Sequence, residues 1–405
     1  MSGILSAIKV IDFSRFLAGP LCGSILADMG ATVYKIERPG TGDDQRLIGP
    51  FMKDANGQDM KDCSTGFMAA NRGKRSVTLD ITKPEGAQLA RELAAQCDIV
   101  IENQKAGGMK KYGLDYAAIR AVKPDIVYCS ITGFGQTGPY APRPAFDSVI
   151  QAMSGMMSLC GQPDGTPGDG PLRTPVLVAD TAAGLYAAVA ILGALLHRQN
   201  TGIGQYIDLG MLDTGVTVCG MFALQYLMNG SVQPRAGNLS PTTSPGNVYR
   251  TRDGYLLMLS STPQQFGALC ASIGRPDLPN DPRFIDNTAR VQNRSALDAI
   301  IETGLSTRTT AEWVDALEAV GVPCGAINSL DAVFNDPQVK HRNVRLDVPY
   351  RDFTVPTLHS PLRFSATPVE HGAPPVLGAW TDRVLNEELG RSHAEIEALR
   401  KAKVL

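Results

Sequence analysis

The chain is 405 residues long, enough for two or three domains that each bury a core. Apolar residues make up 43% and charged residues 19%, an ordinary globular balance, and the formal net charge is -2. A nucleic-acid surface, which needs a strong basic excess, is excluded; a local basic groove for a phosphorylated ligand is not.

The opening MSGILSAIKVIDFSRF lacks a basic region followed by an apolar core and a small-residue cleavage site, so no secretory signal is expected. Residues 7–12 (AIKVID) are a short apolar run that suits a buried strand. GPLCGSILADMGA predicts a helix opening on Pro20 and closing near Gly30, and ATVYKIE (31–37) a second strand. After a loop rich in Gly, Pro and Asp, SVTLDI (76–81) reads as a third strand. Thr82 and Glu85 have the spacing of a capping box around Pro84, and the helix it would start, 84–96, places Leu89 and Leu93 on one face. CDIVIE (97–102) and DIVYCSI (125–131) are further apolar strands. The Gly/Pro-rich GQPDGTPGDGP (161–171) leads into PVLVAD, read as a strand ending at Asp180, and then into a long apolar helix ending before Gly202. The apolar stretch from Leu185 to Leu196 suits a buried helix better than a membrane span. GQYIDLGMLDTGV begins another strand-to-helix unit.

This alternation predicts an α/β fold with a Rossmann-like, doubly wound parallel sheet over residues 1–210. From about 225 the texture changes. A hairpin around Arg252, Asp253 and Gly254, followed by helices, predicts a smaller α+β domain over 225–330. Residues 331–405, rich in proline, are expected to return to the large domain.

Eight scattered cysteines show no C-x-x-C spacing and five histidines show no ligand spacing. No metal site is therefore expected, and reduced thiols point to a cytoplasmic setting. The first strand is followed by no G-x-G-x-x-G and no Walker lysine motif occurs, which sets NAD and ATP aside. Ligands in doubly wound sheets bind beyond the C-terminal strand ends. There the chain carries Arg38 and Arg46, then Asn103, with Lys111 and Tyr112 downstream; the basic turn NRGKR (71–75) precedes the third strand. Arginine can fork onto phosphate or stack on adenine, and each of these groups also fits a solvated loop. Asp180 is placed by this reading at a helix N-cap, where the ionised form is favoured and the carboxylate is a ready nucleophile, although aspartate there commonly does no more than cap. Gly184, one turn later, would let another segment approach closely.

Six segments in order, DFSRFLAGPLCGSILADMGATVYKIERPGTGDDQR, NRGKRSVTLDITKPEG, DIVIEN, SITGFGQTGPYAPRPAFDSVIQAMSG, GQPDGTP and VADTAAGLYAAVAILGALLHRQNTGIGQYIDLGMLD, resemble the class III CoA-transferases. That superfamily includes formyl-CoA transferase, carnitine CoA-transferase and α-methylacyl-CoA racemase, and the likeness covers nearly the whole chain. It implies that Asp180 is the catalytic aspartate, that Arg38 packs on the adenine of CoA with Leu79 in the same site, and that Asn103 contacts CoA. By the same resemblance, Lys111 and Tyr112 fall where formyl-CoA transferase has an arginine and a methionine near the CoA phosphates and base. Gln104 and Leu17 stand where formyl-CoA transferase has a phenylalanine and an active-site glutamine, so the acyl pocket is expected to differ. Asp147 either lines the active site or caps a helix. Arg15, Arg46, Arg143 and Arg173 are candidates for holding a second carboxylate, and a small dicarboxylate such as succinate is the expected acid. The racemases use a histidine where this chain has Phe146, which cannot move a proton. Transfer of CoA from an acyl-CoA to a carboxylic acid is therefore the expected reaction, with racemase or CoA-linked dehydratase as the alternative. The resemblance further implies an interlocked homodimer and no cofactor beyond coenzyme A as substrate. A loop at Ser244, Pro245 and Gly246 is a candidate source of oxyanion donors.

Overall fold

The computed structural model describes residues 3–405. Two compact units emerge: one from the described residues up to Met157 with Arg173–Val232 and Arg342–Leu405, the other from Ser158–Leu172 and Gln233–His341.

The first unit is built on six parallel strands: β1 (Lys9–Asp12), β2 (Thr32–Glu37), β3 (Arg75–Thr78), β4 (Ile99–Glu102), β5 (Val127–Thr132) and β6 (Tyr206–Gly210). Their order across the sheet is β3-β2-β1-β4-β5-β6, the doubly wound order with its switch point between β1 and β4. Successive side chains point to opposite faces, and both faces are covered. Val10, Val33, Ile99, Ile101, Val127 and Cys129 face one core, shared with α1 (Ala18–Asp28) and the long helix Val178–Thr201. Ile11, Tyr34, Val100 and Tyr128 face the other, shared with α2 (Pro84–Ala95) and with Thr381–Leu389 and His393–Lys401 from the chain end. The C-terminal segment is tied back by the Thr78 N–H to Thr381 Oγ1 (2.9 Å) and the Asp80 N–H to the Val404 carbonyl (2.8 Å).

Three local readings change. Thr82 does not cap α2: its hydroxyl bonds Asp80 Oδ1 at 2.6 Å, Lys83 takes the N-cap place and Pro84 starts the helix. The NRGKR turn is not a solvated basic loop, because Asn71, Arg72 and Lys74 are buried: Arg72 donates to Asp28, and Lys74 to Asp12 and to the Asn71 side chain. PVLVAD is not a strand. The backbone at Val176, and at Thr174 just before the segment, bonds the Gln151 side chain at 3.2–3.3 Å, and the helix begins at Val178.

Helix Val178–Thr201 is long and apolar enough to cross a membrane. Its Ala-rich face (Ala179, Ala183, Ala187 and Ala194) is buried in the first core, and a Cβ on Gly184 would lie 2.7 Å from the Ala18 carbonyl oxygen, which is why α1 can approach so closely.

In the second unit, Gly246–Arg250 and Tyr255–Leu259 form the hairpin around Asp253, and Cys324–Ala326 adds a third antiparallel strand. Trp313, Leu256, Phe266 and Leu297 form its core. The 158–172 segment joins this unit, held by the Gly237 N–H to the Gly161 carbonyl (2.9 Å) and by the Arg235–Asp164 ion pair. The segment assigned to this unit runs on to His341, so the returning segment begins at Arg342.

Candidate active site

The loop after β1 turns sharply. Phe16 adopts φ +66°, a left-handed conformation that costs a non-glycine residue about 1 kcal/mol, so its surroundings must hold it. The Phe16 N–H donates to Asp43 Oδ1 (3.2 Å), and Asn103, from the tip of β4, grips the Arg15 backbone from both sides, accepting its N–H (2.8 Å) and donating to its carbonyl (2.7 Å). Beneath this loop lies a buried charge network. Lys35 donates to Asp43 (2.9 Å) and to the Ser14 carbonyl, while Lys74 donates to Asp12 (2.8 Å), whose other oxygen accepts the Ser14 N–H (2.9 Å). Lys35 and Arg46 therefore do not face a ligand: Lys35 is fully buried, and Arg46 is locked on Glu37 at 2.7 and 2.8 Å and lies over the Phe67 ring.

Asp180 stands in the first turn of α4 (Val178–Thr201), with α3 (Asp147–Met153) supplying its support. The N-cap residue, Leu177, offers no side-chain bond. Asp147 fills the gap instead: buried, it accepts the N–H groups of Ala179 (2.9 Å) and Asp180 (3.1 Å), and Gln151 donates to its other oxygen at 2.5 Å. Asp180 is thus the third helical residue rather than the N-cap, and the backbone donor expected to favour its ionised form is already occupied. Burial, with the charge of Asp147 adding to it, pushes its pKa up to about 7. The Asp180 carboxylate has no hydrogen-bond or ion-pair partner among the described residues.

Asp180 opens into a cavity of about 490 Å³ lined by Arg15, Asn103, Lys105, Lys111 and Arg143, with apolar walls from Phe16, Ile131, Phe146 and Met211. The Phe16 and Phe146 rings meet edge to face at 5.8 Å. A second cavity of about 230 Å³ is lined by Arg38, Leu79 and Tyr112 with Phe13 and Ile36. Arg15 and Gln104 line both. The two cavities lie along the C-terminal edge of the sheet, where doubly wound folds bind ligands.

Of the residues singled out in sequence, Asp180, Asn103 and Lys111 come together in the larger cavity and Arg38, Leu79 and Tyr112 in the smaller. Leu17 lines neither; its neighbours Phe16 and Ala18 do, because the left-handed turn at Phe16 redirects the chain. Arg173 is exposed and lines neither, and Asp147 supports the helix from below. The Ser244–Gly246 loop belongs to the second unit. Sequence reasoning missed Phe16, Lys105 and Thr132, whose buried hydroxyl has no hydrogen-bond partner among the described residues. The conformation of Phe16 leaves no mark in FSRFLAG, whereas Thr132 was findable as the residue closing an apolar strand.

The switch-point crevice thus holds one cavity framed by Arg38, Leu79 and Tyr112 and, beside it, a half-buried carboxylate, Asp180, among cations, the arrangement of an α/β protein with a ligand site at its sheet edge. The chain belongs to CoA-transferase family III, which matches residues 5–381. It is 42% identical to the succinate–glutarate CoA-transferase of Agrobacterium fabrum, over 95% of both chains. It is 35% identical to the human succinyl-CoA:glutarate CoA-transferase, over 99% of this chain and 90% of that one. A CAIB/BAIF family protein from Brucella suis superposes with a TM-score of 0.87 at 40% identity, covering 96% of this chain and all of that one. The protein is accordingly a CoA-transferase, moving CoA from an acyl-CoA donor to a free carboxylic acid, and the racemase and dehydratase readings fall away.

Proposed function

We propose that this transfer runs through covalent intermediates on Asp180 and serves small dicarboxylic acids of the succinate and glutarate kind. The observation that carries the reading is one unpartnered carboxylate in a cavity lined by four cationic side chains. The dicarboxylic acids in the names of the relatives support the substrate class.

CoA lies with its adenine between Arg38 and Leu79, close to Tyr112, and its phosphates near Lys111. Asn103 acts by fixing the Arg15 turn. The Asp180 carboxylate attacks the thioester carbonyl, the C–S bond breaks, and an aspartyl–acyl anhydride and CoA thiolate result. The thiolate attacks the aspartyl carbonyl, giving an aspartyl-CoA thioester and releasing the donor acid. The acceptor carboxylate attacks that thioester to form a second anhydride and free the thiolate, which attacks the new acyl carbonyl and regenerates Asp180. Thioester and anhydride are similarly activated, so the exchange calls for no metal and no cofactor beyond coenzyme A as substrate. Holding the thiolate beside the anhydride supplies an effective molarity on the order of 10⁵ M or more.

The working form is an interlocked homodimer in the cytoplasm. Association of copies is supported by Leu185, Val189 and Leu196 on α4 and by Met221, Leu227 and Met228 on the helix Gly220–Asn229, which leave large apolar surfaces exposed in the single chain. The chemistry is tested by mixing enzyme with succinyl-CoA, trapping with hydroxylamine or borohydride and mapping the modified peptide by mass spectrometry. Modification is expected at Asp180; its absence there, with turnover intact, would sink the covalent route.

A further inference from the structure

Four arginines were candidates for a second carboxylate, and the structure separates them. Arg46 is buried on Glu37, and Arg173 is exposed and lines neither cavity of the site. Arg15 lines the Asp180 cavity but is ion-paired with Asp44 at 2.9 Å and bonds Gln104 at 3.1 Å. Arg143 lines the same cavity and has no carboxylate partner among the described residues.

Its position along the sheet edge separates it from the other cations. The adenine cavity lies over the ends of β2 and β3, and Lys105 and Lys111 follow β4. Arg143 follows β5, one strand further from the adenine cavity in the sheet order. A CoA thioester laid from the smaller cavity to Asp180 therefore brings its phosphates past the β4 loop and its acyl tail to the β5 loop.

The guanidinium is also braced. It stacks on the Tyr140 ring at 3.8 Å, and the Arg143 N–H donates to the Tyr140 carbonyl at 2.9 Å. Tyr140 in turn meets Phe134 edge to face at 5.7 Å, and Phe134 packs on the first core. Pro142 and Pro144 flank the arginine, and a Cβ on Gly133 would meet the Ala145 Cβ at 2.2 Å, so the far end of the loop is pressed against the tip of β5. A stacked guanidinium still presents its N–H edge, the geometry that suits a carboxylate, and ordering it beforehand reduces the entropy lost on binding.

We propose that Arg143 grips the far carboxylate of a dicarboxylic acid whose near carboxyl exchanges CoA at Asp180, and so sets the preference for dicarboxylic over monocarboxylic acids. This rests on the dicarboxylate reading above.

The test compares wild type, Arg143→Gln and Arg143→Lys with succinyl-CoA as donor and glutarate or butyrate as acceptor. Charged hydrogen bonds of this kind predict that Arg143→Gln lowers kcat/KM for glutarate about 10- to 100-fold. Succinyl-CoA is itself a dicarboxylic thioester, so its own KM should also rise in this variant, and the acceptor step is read from kcat/KM, which a double-displacement reaction makes independent of the donor step; kcat/KM for butyrate should stay within about twofold. Arg143→Lys, which keeps the charge without the fork, should recover part of the loss. Equal losses for glutarate and butyrate, or an unchanged glutarate kcat/KM, would overturn the assignment while leaving the dicarboxylate reading intact. A wild-type enzyme with no preference for glutarate over butyrate would overturn both.

Discussion

Asp180, the nucleophile we propose, is held in a place that disfavours its charge, and removing that charge should stabilise the fold. Its pKa lies at about 7, against 3.8 for an ordinary aspartate, through burial and then the nearby Asp147. Because the folded value exceeds the unfolded one, the unfolded chain binds fewer protons between them, and stability falls as pH rises through that window. Below about pH 4 both states are protonated and nothing is lost; above about pH 8 the full penalty applies. Some three pKa units correspond to about 4 kcal/mol at pH 8 and about 1.5 kcal/mol at pH 5. Asp180→Asn keeps the shape and removes the charge. At an unfolding entropy of about 2.1 cal/mol/K per residue, the variant should melt roughly 5 °C above wild type at pH 8.5 and roughly 2 °C above it at pH 5. Calorimetric melting curves across pH 5–8.5, on a variant checked by mass for deamidation, would measure this. A gap that does not widen with pH, or a variant that melts below wild type at pH 8.5, would refute the reasoning.

Asp147→Asn retains an oxygen for the Ala179 and Asp180 N–H groups but takes away the negative charge beside the nucleophile. The pH–rate profile for kcat/KM, rising through about pH 7 in wild type as Asp180 ionises, should shift its midpoint to lower pH in this variant. Lys35→Met would leave the carboxylate of Asp43 buried without its cation. Breaking one side of such a pair should cost about 3–5 kcal/mol in denaturant unfolding, and it should also loosen the Phe16 turn that Asp43 holds.

The large sheet was readable because parallel strands buried on both faces read as nearly continuous apolar runs, with charges only at a few positions such as Asp12 and Lys35. VID, VYKI and DIVI stand out without any alternation to decode, and glycine and proline mark the helices between them. What misled was apolar character with another cause. PVLV looks like a sixth such strand, but the backbone at Val176 and at the preceding Thr174 is bonded to one glutamine side chain, Gln151, whose reach across the fold no local pattern records. The basic residues misled in the opposite direction. Arg46, Arg72, Lys35 and Lys74 have the spacing of a phosphate-binding edge, yet each is buried on a carboxylate from a different turn. A sequence shows the charge and not the partner, and the partner decides whether a cation faces ligand or core.

The same limit explains the misplacement of the nucleophile within its helix. Aspartate before an apolar helix is the commonest N-cap pattern, so Asp180 was assigned the first free N–H groups of its own helix. Asp147 lies 33 residues earlier and reaches those groups instead, as its bond to the Asp180 N–H records. The substitution has chemical consequences. A capping aspartate that holds its own helix is ionised, as the sequence reading supposed, but its hydrogen-bonded oxygens are less free to attack than that reading allowed. With the cap supplied by another carboxylate, Asp180 is left unbonded and partly dehydrated in an apolar-walled cavity, a costly state for the anion. In the covalent route proposed above, attack on a thioester passes that charge through the tetrahedral oxyanion to the departing CoA thiolate and leaves a neutral anhydride, so the cost of the dehydrated carboxylate is relieved at that step.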